Sequence, residues 1–397
     1  DAQLWSEYNP VIYVLSVYSM GGKRTVSFGL REFSKDEHSF LINGTKTMLR
    51  GKHDGMIFPI TAYAPTDIDE WVRIFKIAKS YGINHYRFHT CCPPDEAFTG
   101  ADLVGIYLQP EINFWGTLSG VDDENYNEKE QSFLIQEGFR ILDTYGNHPS
   151  FVMFSLGNEL WGDKNRMNDI IKGYKSVDNR HLYTQGSNNF QWYPCIVEED
   201  DFFSGVRFSI ERQIRGSYAM CDKPLGHVQT MRPSANMNYD NSILPNDKVK
   251  SNTSAVDENG YIKIQYGTGV KLIKADELEN EFIPHVPVVS HEIGQYETFP
   301  NFKEIDKYTG VLKARNFEMF KKRLEDKGML SLADKFFQAS GKLAVECYKT
   351  ELESAFRSKY LAGFQLLDIQ DFTGQGTALV GILDAFMDSK GIVSAKE

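Results

Sequence analysis

No uninterrupted apolar run of about 18 residues occurs in the 397-residue sequence, so it carries no candidate membrane-spanning helix and no membrane partner is expected. Cysteine is scarce. The five residues Cys91, Cys92, Cys195, Cys221 and Cys347 form no Cys-x-x-Cys pair and no zinc-ribbon spacing. Their odd number leaves at least one thiol free, and they read as mostly reduced core residues that do not fix the compartment. Positive charge is in deficit, with 43 Lys and Arg against 54 Asp and Glu and a net charge of −11. A phosphate-backbone binder needs clustered cations, so no nucleic-acid partner is expected, and a polyanionic substrate is disfavoured. No Gly-x-Gly-x-x-Gly turn marks a dinucleotide fold, and there is no internal repeat or low-complexity tract. No secretory leader is legible. The chain opens at "DAQLWSEYNP" without an initiator Met, which leads us to expect a processed product or part of a longer chain.

What is present is ordinary globular composition, 41% hydrophobic and 24% charged, with length enough for one large α/β domain and a smaller piece. Aromatic residues reach 13%, including 20 Tyr and 27 Phe. They suit either a well-filled core or surfaces that stack on the apolar faces of sugars. The first 36 residues read as β structure: "VIYVLSVYS" and "RTVSFGLREF" flank the Gly-bearing turn "MGGKR". Two strands alone are marginal in water, so they are expected to end a β-sandwich whose earlier strands lie elsewhere.

From residue 37 the rhythm changes to strands alternating with helices. "TKTMLRG", "INHYRFH", "IYLQPEINF", "FVMFSLG", "HLYTQGS", "DFFSGVRF", "VPVVSHEI" and "LAGFQLLDI" are strand candidates. Helices are expected over 66–82, where Thr66 or Asp67 caps and Trp71, Ile74, Phe75 and Ala78 stripe one face. Others are expected over the "PDEAFTGADLVG" stretch and residues 124–146, 163–178 and 316–357. Eight such units predict an α/β fold of the closed (β/α)8 barrel kind over 37–397. Residues 209–284 are too long for a plain connection and are expected to form an inserted subdomain, with a hairpin in "DENGYIKIQYGTGVKLI".

Barrel enzymes carry their chemistry at the C-terminal ends of the strands, and most of these strands end in polar residues. They run from Lys52-His53-Asp54 and Arg87-Phe88-His89 through Glu111 and Asn113, Asn158-Glu159, and Gln185, Ser187 and Asn188. The last are His291-Glu292 and Asp368, Gln370 and Asp371. Glu159 and Glu292 close the fourth and seventh strands, which face each other across an eight-stranded barrel. One Glu alone reads more readily as a strand-end ion pair. Two on opposed strands can split a glycosidic bond, one attacking the anomeric carbon and the other protonating the leaving oxygen.

At these residues the chain resembles the catalytic portion of glycoside hydrolase family 2, the β-galactosidase, β-glucuronidase and β-mannosidase family. "HPSFVMFSLGNE" is similar to that family's acid/base strand and "PVVSHEIGQY" to its nucleophile strand. "INHYRFHTCCPPDEAFTGADLVGIYLQPEIN" resembles the stretch holding an Arg and a His. "VSFGLREF…FLINGTKTMLRG" resembles the join between an immunoglobulin-like β-sandwich and a TIM barrel. The resemblance implies Glu159 as acid/base and Glu292 as nucleophile of a retaining exo-β-glycosidase that needs no cofactor. It further implies Asn158 at the sugar 2-hydroxyl, Arg87 orienting the nucleophile, and His89 touching the sugar. His53 and His291 join them as candidate sugar contacts, and Trp161 is either an aromatic wall or packing under the rim. His89 also reads as an ordinary core histidine.

Three departures bear on the expectation. Phe114-Trp115-Gly116 stands where the β-galactosidase branch carries magnesium ligands, so no metal is expected there. Leu367 occupies the place of the family's floor Trp, leaving Phe372 or the insertion to supply a platform. His291 and Gln295 flank the nucleophile motif atypically. Alternatives of other kinds are a non-catalytic carbohydrate-binding barrel and an endo-acting β-glycanase. The expected partners are an oligosaccharide or glycoside, the preceding sandwich domains and further copies of the chain, in an extracytoplasmic setting by family resemblance.

Overall fold

The computed structural model describes residues 2–190, 194–208, 212–215, 232–244, 259, 261–266, 269–274, 282–376 and 378–397. All eight predicted strand positions are strands, and every pairing among them is parallel: β1 (Leu49–Asp54), β2 (His85–Phe88), β3 (Tyr107–Gln109), β4 (Met153–Ser155), β5 (Leu182–Thr184), β6 (Phe203–Gly205), β7 (Val288–Ile293) and β8 (Leu361–Leu366). Six of them form one sheet in the order β6-β7-β8-β1-β2-β3, and β4 pairs with β5. Isolated parallel bridges join Leu108 to Phe151, Glu111 to Ser155 and Ser187 to Ser204.

Among the described residues, six helices of ten or more residues cover the strands: α1 (Ile68–Ser80), α2 (Asp95–Val104), α3 (Glu128–Tyr145), α4 (Lys164–Val177), α5 (Arg315–Asp326) and α6 (Ala333–Arg357). Of the two candidate caps before α1, Asp67 is the one used: its carboxylate accepts from the backbone N–H groups of Asp69 and Glu70 at 2.7 and 3.1 Å. The stripe of Trp71, Ile74, Phe75 and Ala78 is buried, as the 3.6-residue period demands. Parallel strands covered by helices bury both sheet faces, which explains why β2, β4, β7 and β8 read as continuous buried runs.

Inside the sheet the two-residue period sorts side chains into levels. Near the strand starts, Leu49, Tyr107, Val152, Leu182 and Val289 pack with Trp5, Phe33 and Phe40. Above them lies a buried polar level. Gln365 donates to Gln109 Oε1 at 2.9 Å and lies 3.0 Å from His85 Nε2, while Gln109 donates to Ser187 Oγ at 3.3 Å. Buried polar groups are costly unless bonded, and this level is bonded across three strands. The charged residues stand one step further along, at the strand ends.

"TKTMLRG" departs from its reading as a single strand. Thr45–Thr47 closes an antiparallel meander with Phe33–Lys35 and Phe40–Ile42, and the parallel strand begins afresh at Leu49. The cause is Asn84. Its side chain donates to Met48 O at 3.1 Å and accepts from Arg50 N at 2.7 Å, taking backbone groups that a continuous ladder would have used. The N-terminal runs form the expected hairpin, Tyr13–Ser19 against Gly22–Phe28. Within 209–284 the described parts are few, among them a short helix (Tyr239–Ile243) and the hairpin Tyr261–Tyr266 with Gly269–Lys274. The rest of that expected insertion lies outside the described residues.

Candidate active site

β2 delivers Arg87 to the centre of the polar rim. It is fully buried and spends its donors on three partners. Nε and Nη2 hold Glu111 as a fork, at 2.7 and 3.1 Å. Nη1 donates to Glu292 Oε1 at 2.8 Å, and Nη2 also donates to Asn158 Oδ1 at 2.6 Å. One guanidinium thus ties together the ends of β2, β3, β4 and β7. Glu111 is itself fixed by Ser187 Oγ at 2.5 Å and by the Thr90 backbone N–H at 2.9 Å. Burial works against the Arg87 charge, but Glu111 and Glu292 together hold it firmly protonated.

The backbone at these strand ends is unusual. Thr90, Glu159, Asn188 and Glu292 all have positive φ, between 48 and 52°. Non-Gly residues rarely adopt this conformation, and such strain gathers where side chains are aimed for function. Glycines make the turns feasible. Gly157 has φ +143°, and a Cβ there would stand 2.3 Å from Phe114 O; Gly294 has φ +76°, and a Cβ would meet the Tyr348 ring at 2.5 Å. These are the glycines of "GNE" and "EIG".

The two carboxyls differ in protonation. Glu159 is pushed up to about 8, first by burial and then by the Glu292 charge, against the pull of Arg215, Arg87 and an Asn188 hydrogen bond. Burial also opposes ionisation of Glu292, yet its neighbours His291, Arg87, His89 and His53 hold this carboxyl well below the usual range. The imidazoles are themselves driven neutral by burial, His89 down to about 4, His53 to about 3, and His291 likewise well below its ordinary value. At neutral pH the lasting cation on Glu292 is therefore Arg87. The outcome is one neutral carboxylic acid and one carboxylate in a shared field.

His53, His89 and His291 all collect around Glu292. His291 Nε2 lies 3.4 Å and His89 Nε2 3.9 Å from Glu292 Oε1, and the His53 and His89 rings meet edge to face at 5.1 Å. Trp161 starts a short strand against Thr117–Leu118 and stacks on Phe190 at 6.4 Å. Trp115, 57% exposed, stands edge-on to His89 at 5.3 Å. Phe372, one of the expected platforms, packs edge-on to His53 at 4.7 Å. Sequence reasoning gave Glu111 no role, although it lies two residues past Gln109 on the inward face. Strand parity was the available signal.

A family model described as "Glycosyl hydrolases family 2, TIM barrel domain" matches residues 34–241, just over half of the chain. The chain belongs to glycoside hydrolase family 2. This family 2 chain is 28% identical over 198 residues to a β-galactosidase of Staphylococcus xylosus, covering 47% of this chain and 20% of that protein. It is 30% identical over 176 residues to a β-galactosidase of Bacteroides ovatus, covering 41% and 20%. Among solved structures, a family 2 β-galacturonidase from Eisenbergiella tayi bound to galacturonate superposes with a TM-score of 0.59 at 16% identity, over 98% of this chain and 58% of that one. A β-glucuronidase from Parabacteroides merdae gives 0.54 at 14% identity, over 98% and 41%. These superpositions establish the shared fold, and the chain spans only about a fifth of the length of the two β-galactosidases.

Proposed function

We propose that this chain carries the catalytic centre of a retaining exo-β-glycosidase, in which Glu292 is the nucleophile and Glu159 the acid/base. The observation that carries the reading is the divergence of two mutually repelling carboxyls: Glu159 pushed up to about 8 and Glu292 held ionised. In the first step Glu292 attacks the anomeric carbon while Glu159 gives its proton to the leaving oxygen, forming a glycosyl-enzyme. Loss of that proton lets Glu159 take one from water, which hydrolyses the intermediate. Asn158, oriented by Arg87, is offered to the 2-hydroxyl, and His53, His89, His291 and the exposed Trp115 line the sugar's side of Glu292.

The reading includes closure of β1–β8 into a full barrel, supported by the bridges on either side of the β4–β5 pair. It also takes the Tyr13–Phe28 hairpin as the end of an immunoglobulin-like sandwich that precedes the barrel in a longer protein. The test uses both acids. Glu159→Ala should lose turnover of natural β-glycosides and recover it with azide on an aryl glycoside bearing a good leaving group. A 2-fluoro glycoside should label the unaltered protein on Glu292. Near-normal turnover by Glu159→Ala and Glu292→Ala would exclude the assignment.

A further inference from the structure

The rim presents more acceptors than donors at one point. The Thr90 hydroxyl donates to its neighbour's carbonyl, His89 O, at 2.8 Å, so its oxygen is left to accept from His89 Nδ1 at 2.9 Å. In that arrangement Nδ1 carries the proton and Nε2 the lone pair. This Nε2 faces Glu292 Oε1 at 3.9 Å, one acceptor toward another. His53 adds a third group. One ligand atom each from His53, His89 and Glu292 lies within 4.8 Å of the other two. Two atoms bound to the same zinc ion at about 2.1 Å are separated by roughly 3.4 Å in tetrahedral geometry. The three groups therefore need to close by at most about 1.4 Å, within the reach of side-chain rotation.

Charge favours a cation there. Glu292 supplies the anionic ligand: Arg87 touches it but is shared with the fork from Glu111, so two carboxylates divide one guanidinium. His53 Nδ1 is buried with no hydrogen-bond partner, and Asp368 Oδ2 stands 3.6 Å from it. When the other ring nitrogen of His53 binds a metal, Asp368 is placed to accept the Nδ1 proton, the carboxylate–histidine–metal arrangement that orients such ligands. Two imidazoles and one carboxylate suit a borderline ion of the zinc class over magnesium or calcium, which prefer all-oxygen shells.

We propose that His53, His89 and Glu292 bind one divalent cation of the zinc class in the mouth of the site, as an inhibitor that excludes the sugar and not as a cofactor. The coordination does not depend on the glycosidase reading; only the competition with sugar does. Isothermal titration of the intact chain with zinc chloride should give one site per chain beyond any weak surface binding. His53→Ala and His89→Ala should each weaken that site at least tenfold, and the isosteric Glu292→Gln should do the same. Far-ultraviolet circular dichroism checks that each variant is folded. With an active preparation, zinc should raise KM and leave kcat unchanged. No such site in the unaltered chain, or equal affinity in all three folded variants, overturns the proposal. Zinc binding that follows the variants in a protein without glycosidase activity supports the cation site and removes the hydrolase reading alone.

Discussion

A single side chain, Arg87, couples the groups that matter most. It holds Glu292, Asn158 and Glu111 at once while fully buried. Arg87→Met would leave Glu111 and Glu292 as buried carboxylates without their cation, a change that costs about 3–5 kcal/mol. Denaturant unfolding should show that loss, and the acid limb of kcat/KM should move to higher pH, since removing the cation raises the Glu292 pKa. An unmoved acid limb would mean that Arg87 does not set the nucleophile's charge. Glu159 governs the opposite limb. In the proposed mechanism its proton goes to the leaving group, and that proton is lost as pH rises through about 8, so kcat/KM should fall above that value. Replacing Glu159 by Gln should abolish the limb together with most turnover of poor leaving groups. The candidate carboxylates and Arg87 were legible as polar strand ends. Glu111's part was not, because a fork between β2 and β3 exists only once the two strands lie side by side.

Elements followed local signals where those signals were redundant. α1 has an Asp cap, acidic residues in its first turn, an apolar stripe and a terminating Gly82, and it forms as read. Asp67→Ala should cost about 1 kcal/mol by leaving the Asp69 and Glu70 N–H groups without their acceptor. Thermal unfolding should register that as a small drop in Tm with no change in KM, because the cap is remote from the rim; a change in KM would show that α1 positions the site. "TKTMLRG" shows where local signals fail. Its composition is strand throughout, and at the break between its two strands the Asn84 side chain, 36 residues from Met48, bonds the backbone on both sides. Periodicity carries no trace of a distant side chain bonding the backbone.

At the scale of the molecule, the N-terminal hairpin stands out. Val14 and Tyr18 on one face and Leu15 and Val17 on the other are all exposed. A two-stranded ribbon with both faces bare is marginal in water, and contiguous exposed apolar surface marks an interaction site. If a preceding sandwich covers it, a longer version of the protein should have a higher Tm and less tendency to aggregate than this chain. Equal behaviour of the two would leave the hairpin without that covering role.

The sequence by itself determined the alternation of strand and helix, the family and the two acidic strand ends, because each is written in local pattern: period, caps, turn glycines and short motifs. Only the tertiary structure decided which carboxyl keeps its proton. Glu159 and Glu292 are the same residue type at similar strand ends, and what separates them is three-dimensional. Burial raises Glu159, while the guanidinium delivered from β2 holds Glu292 charged, and fields of that kind depend on distances that no linear spacing contains.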